Sequence, residues 1–72
     1  MTRVIEAGDL SARHLGHTIT INDAAGRLAE GRLVGVHSML VAADRVVRIC
    51  LEEDGRMHEV VTGVFTLLEV QP

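Results

Sequence analysis

GRLAEGRLVGVH, residues 26–37, decides the fold. Three glycines, Gly26, Gly31 and Gly35, recur in a run that otherwise reads as strand. Glycine weakens a strand interior, so it marks a bulge, a bend or a close backbone approach. Ala29, Gly31, Leu33 and Gly35 share one parity, and Leu28, Val34 and Val36 share the other. One inserted residue swaps the faces beyond it, so a bulge or sharp bend reconciles the two sets. Gly26, Gly31, Leu33 and Gly35 are therefore the expected fold-determining residues, in a long bent strand over roughly residues 27–38.

Outward from that strand, HTITI (17–21) alternates strictly, with Ile19 and Ile21 on one face and Thr18 and Thr20 on the other. β-branched residues with period two mark a half-buried strand. NDAAG (22–26) supplies turn residues between the two. Downstream, Ala42, Ala43 and Asp44 read as a turn, with Met39 to Val41 extending the strand or plugging a barrel mouth. VVRICLE (46–52) is the next strand, with Val47, Ile49 and Leu51 inward and Arg48 and Glu52 outward. EDG (53–55) is a tight hairpin turn, MHEVVT (57–62) returns antiparallel, Gly63 breaks it, and FTLLEV (65–70) is the last strand. At the start, Val4-Ile5 form a brief strand or an ordered tail. Asp9 as N-cap and Gly16 as C′ residue frame a short helix over 10–15. The expected fold is all-β: one domain over residues 1–72, a small five-stranded, strongly bent antiparallel barrel of the SH3-like or Sm-like kind with a short N-terminal helix. The OB barrel, which needs a longer chain, ranks below it.

With 72 residues, the chain is small enough that its stability is marginal unless something supports it, and oligomerisation is one such support. The single Cys50 excludes an internal disulfide and reads as a reduced, half-buried thiol, which with the absence of a cysteine framework points to the cytoplasm. MTRVIEAGDL has no secretory h-region, and no apolar run approaches a membrane span. The net charge of −3 lacks the global basic excess of a typical nucleic-acid binder. All seven basic residues are arginine, a usage that hints at a high-GC genome. Phe65 is the sole aromatic residue, which argues against a base-stacking platform.

Side chains with catalytic or metal chemistry are scattered. His14-x-x-His17, with His37, His58 and Cys50, has the residue types of a zinc site, but Gly16 is expected to set the first two apart. Exposed or capping histidines are the simpler reading, with no metal and no cofactor. Glu52, Glu53 and Asp54 sit on a hairpin tip, outside any cleft that would shift their pKa values. The glycines at 26, 31 and 35 lie within a strand rather than between strand and helix, so they form no phosphate cradle. An enzyme is not expected. Arg27, Arg32, Arg45 and Arg48 suit solvated faces paired with Glu30 or Glu52.

Gly26-Arg27, Gly31, Leu33, Gly35 and Val36 stand at the spacings of the first motif of Sm-like (LSm/Hfq-type) proteins, which this stretch resembles. EVVTGVFTLLEV (59–70) is similar to the second Sm motif, an apolar strand, a Gly turn and an apolar strand. The resemblance spans most of the chain and implies a small barrel that assembles by pairing edge strands. The departures fall on the residues that contact RNA. His37 stands where the Sm pattern has Asp, no Asn occurs between His37 and Arg48, and Thr62 replaces the Arg before Gly63. The resemblance thus covers the barrel-forming part and lacks much of the RNA-contacting part. A phage-encoded accessory protein fits such a chain.

Two functions compete. The first is a non-enzymatic interaction module that self-associates, or docks a protein partner, through strand edges. Phe65 and Leu67 lie on one face of the last strand and Leu68 and Val70 on the other, so one face is expected to meet a second subunit, and these four are the interface candidates. The second is Sm-like RNA binding, with Arg27, Arg32, His37, Thr62 and Gly63 as the contact candidates.

Overall fold

The computed structural model describes residues 1–22 and 26–72. Six strands appear in chain order: β1 (Arg3–Glu6), β2 (Thr18–Asn22), β3 (Leu28–Val41), β4 (Asp44–Glu53), β5 (Arg56–Gly63) and β6 (Leu67–Gln71). They form one antiparallel sheet in the order β1-β6-β2-β3-β4-β5. The turn expected over 22–26 falls mainly on residues 23–25, outside the described residues.

β3 is the hinge of this sheet. Its first part, Leu28 to Arg32, pairs with β2, and its second part, Arg32 to Val41, pairs with β4. Arg32 belongs to both ladders. Immediately after it the register shifts between Leu33 and Gly35, leaving Val34 as the extra residue. This bulge resolves the two parities read from the sequence. Leu33 is fully buried, and beyond the bulge the partners of the buried Val47 and Ile49 are Ser38 and Val36. Gly31 explains how the strand turns so tightly. A Cβ built there would lie 2.8 Å from the Glu52 carbonyl oxygen and 3.1 Å from the Leu51 Cβ. Only a hydrogen lets β4 come this close.

The core draws on both sides of the bend. Ile19, Ile21, Leu68 and Val70 come from β2 and β6, and Val47, Ile49, Leu51 and Val60 from β4 and β5; with Ala7 and Leu33 they make one buried cluster. The sheet is therefore folded over on itself.

Three expectations need correction. The barrel is not closed: the sheet is open, with β1 and β5 at its two ends. There are six strands rather than five, because the Val4-Ile5 segment becomes β1 and pairs along β6, Arg3 with Val70 through Glu6 with Leu67. That pairing takes up the β6 edge which a closed ring of strands would need. The N-terminal helix is also absent, and two 3₁₀ turns, Ala7–Asp9 and Ala12–His14, stand in its place. The donors within the expected helix bond three residues back, Leu10 N–H to Ala7 O, His14 N–H to Ser11 O and Leu15 N–H to Ala12 O, and Gly16 N–H, at the expected helix end, donates instead to Leu33 O. A six-residue helix is too short to compete with such bonds.

Two-residue turns join the last hairpins. Asp54 and Gly55 have φ of 52° and 79°, as a type I′ turn requires. Ala42 and Ala43 adopt the same left-handed sign, φ 50° and 71°, without glycine's freedom. The last strand starts at Leu67, because Gly63 to Thr66 form a turn closed by a Thr66 N–H bond to Gly63 O.

Candidate functional site

The residues proposed to touch nucleic acid are scattered over the bent sheet. Arg32 donates from Nη2 to Glu52 Oε1 at 2.6 Å across the β3–β4 pair. Arg48 lies 3.7 Å from Glu59 on β5. His37 is exposed opposite Arg48, and β4 separates it from β5. Thr62 lies on the inner side, opposite the buried Val47, and its hydroxyl bonds to that of Thr66 at 2.6 Å. Gly63 ends β5, while Arg27 precedes β3 at the far end of that strand. The five candidates therefore do not converge on one surface.

The four interface candidates divide by the pleat. Leu68 and Val70 are core residues, 2% and 5% exposed, so their apolarity is accounted for within one copy of the chain. β6 lies between β1 and β2, so its backbone edges are both taken. Phe65 and Leu67 remain outside, 78% and 62% exposed. Leu67 shares the outer face with Val4 and Leu28 around a shallow depression. Phe65 sits beyond the end of β5, beside Val46 and Val64.

The open order leaves two strand edges. β1 is four residues long and β5 is eight. β5 pairs with β4 through an unbroken register from Arg56 with Glu53 to Gly63 with Val46. Its outer face shows Met57 and Val61, 66% and 50% exposed, on either side of Glu59. Cys50, opposite Glu59, is half-buried on this same face, its thiol 4.0 Å from the Glu59 carboxylate. Arg48, as expected, lies outward in the same strand while Val47, Ile49 and Leu51 face in.

A second feature lies near the other end of the sheet. A recess of about 400 Å³ is lined by Arg3, Ile5, Asp9, Arg13, His14, His17, Val70 and Pro72. Gly16, with φ of +87°, turns the chain back so that the His14 and His17 rings stand edge to face with centroids 6.4 Å apart. The expected separation of these two histidines does not occur. Ser11 N–H donates to His14 Nδ1 at 3.0 Å. Partial desolvation, with Arg13, His17 and Arg3 close by, holds the His14 imidazole below its ordinary pKa. Among the described residues no group of three or more His, Cys, Asp or Glu side chains is placed to hold a metal ion. Sequence reasoning passed over Arg3 and Arg13. The usable signal was parity: Arg3 shares it with Ile5, and a strand at 3–6 puts both on the inner side, opposite Val70 and Leu68.

The fold and its surfaces define a small all-β protein, an open antiparallel sheet folded around one core. Compared with known proteins, the chain matches no family model, no curated protein and no solved structure. Among the described residues no helix is long and apolar enough to cross a membrane.

Proposed function

We propose that this protein is a non-enzymatic interaction module that self-associates through the edge of β5. The observation that carries the reading is that edge itself. Eight residues of strand end the sheet with no neighbouring strand on the far side among the described residues, and Met57 and Val61 stand exposed beside it. Unpaired backbone donors and acceptors in a regular strand are a template for another strand. A second copy offers the same edge, and two copies related by a twofold axis pair β5 with β5, a self-complementary contact that closes on itself. Phe65, two residues past the end of β5, falls beside that contact and is the one interface candidate on the last segment that adjoins it. β1 is the weaker template because it is short, a common way of blunting an edge.

The likeness to Sm-like proteins belongs to the same reading. Its support is the glycine spacing, with Gly31 at a close approach of β4 and the bend falling between Gly31 and Gly35. RNA binding, the competing reading, has less support, since Arg32 and Arg48 already face carboxylates and Thr62 is engaged by Thr66.

Light scattering at sub-millimolar concentration tests the proposal. The expected mass is that of two chains. Met57→Lys with Val61→Lys adds charge beside the edge and is expected to give a folded monomer. A monomeric parent protein, or a dimer indifferent to both lysines, overturns it.

A further inference from the structure

The recess at residues 3–17 concentrates positive charge in a chain whose net charge is −3. Two guanidinium groups and two imidazoles line it, against one acidic side chain, that of Asp9. On the sheet face Arg32 is answered by Glu52 and Arg48 by Glu59, while Arg45 and Arg56 at the strand ends enter no ion pair among the described residues. Arg3 and Arg13 enter no ion pair among the described residues. A guanidinium presents a planar fork of donors that matches the oxygens of a phosphate or carboxylate. The histidines add donors. Because His14 Nδ1 accepts the Ser11 N–H, the neutral ring carries its proton on Nε2. Ile5 and Val70 supply an apolar wall, and Asp9 supplies an acceptor for a ligand hydroxyl while repelling a second negative group. The volume of about 400 Å³ lies in the range of small-molecule sites.

We propose that this recess binds a small phosphorylated polyol or sugar. Its phosphate is taken by Arg3 and Arg13, its carbon skeleton lies against Ile5 and Val70, and a hydroxyl is accepted by Asp9. The site is near the sheet end opposite β5, so it stands or falls apart from the self-association reading.

Calorimetric titration of the full chain at low ionic strength tests it, with ribose 5-phosphate, inorganic phosphate and ribose as probes. Saturable binding is expected for ribose 5-phosphate, weaker binding for inorganic phosphate and none for ribose. Arg3→Gln and Arg13→Gln should each weaken ribose 5-phosphate at least tenfold. Both side chains are exposed, so the fold should survive, and a melting curve checks this. Arg45→Gln, on the far hairpin, should change nothing. No saturable binding of either phosphate overturns the site, and so does an equal loss in Arg45→Gln. Inorganic phosphate binding as tightly as ribose 5-phosphate overturns the polyol assignment. An oligonucleotide with a 5′-hydroxyl binding more tightly than ribose 5-phosphate overturns it in favour of a polymer backbone.

Discussion

Replacing Gly31 with alanine tests the bend directly. The added methyl would meet the Glu52 carbonyl oxygen at 2.8 Å and the Leu51 Cβ at 3.1 Å, both parts of the β4 framework rather than mobile side-chain ends. β3 and β4 must part by several tenths of an ångström where Arg32 pairs with Glu52, the position at which the two ladders meet. Overpacking of this kind costs about 1–3 kcal/mol. Alanine recovers about 0.4–1 kcal/mol by restricting the unfolded chain. Taken at the middle of both ranges the net loss is about 1.3 kcal/mol, which for a domain of this size lowers Tm by roughly 5–10 °C. Gly35→Ala is the matched control. Its methyl would sit 3.5 Å from the Cys50 Cβ, an ordinary contact, so its Tm should hold or rise slightly. Thermal unfolding followed by circular dichroism reads both variants. Equal melting temperatures for the two would refute the claim that the close approach at Gly31 sets the bend.

Three further outcomes are expected. Replacing Ala42-Ala43 by Asn-Gly relieves two alanines at φ 50° and 71°, and should stabilise the protein by about 1–2 kcal/mol in urea unfolding; a destabilised variant would mean that the turn is not of this type. Leu67→Asp should leave a folded protein, whereas Leu68→Asp, a charge placed at a 2% exposed core position, should unfold it with a loss above about 3 kcal/mol; similar behaviour of the two would place the pleat wrongly. His14 should titrate below 6.5 by NMR in phosphate-free buffer. Since folding lowers its pKa, the stability held by the neutral ring is present above about 6.5 and is lost as pH falls through the folded value. A midpoint at or above 6.5 would contradict the crowding of His14 by Arg13, His17 and Arg3.

The bend was legible because glycine and parity are local signals. Gly26, Gly31 and Gly35 mark the bent strand in the sequence, and the bulge falls between the last two. The inward set of Val47, Ile49 and Leu51 was legible for the same reason, as was the half-exposed Cys50. The partner of each edge was not, since pairing is a property of the whole chain. Val4-Ile5 announces a strand without saying that it will lie along β6. The apolar residues on both faces of the last strand pointed to an outside cover, yet a strand between two others needs the inner half of them for its own core. The recess was hidden because its parts come from the first strand, two 3₁₀ turns and the last strand, and no spacing along the chain links Arg3 to Arg13 and His17.

The strand order also sets a timetable for folding. β3, β4 and β5 are joined by two-residue turns, so their ladders form between near neighbours, within the microsecond range of hairpins. β6 must instead travel back across the molecule to enter between β2 and β1, and among the described residues β1 pairs with no other strand. The contacts of Arg3 with Val70 and Ile5 with Leu68 span nearly the full chain, and contacts of such separation slow folding. In pulse-labelled hydrogen exchange, amides of β3 to β5 should gain protection first. Those of β1, and with them the recess that Arg3 helps to wall, should gain it last.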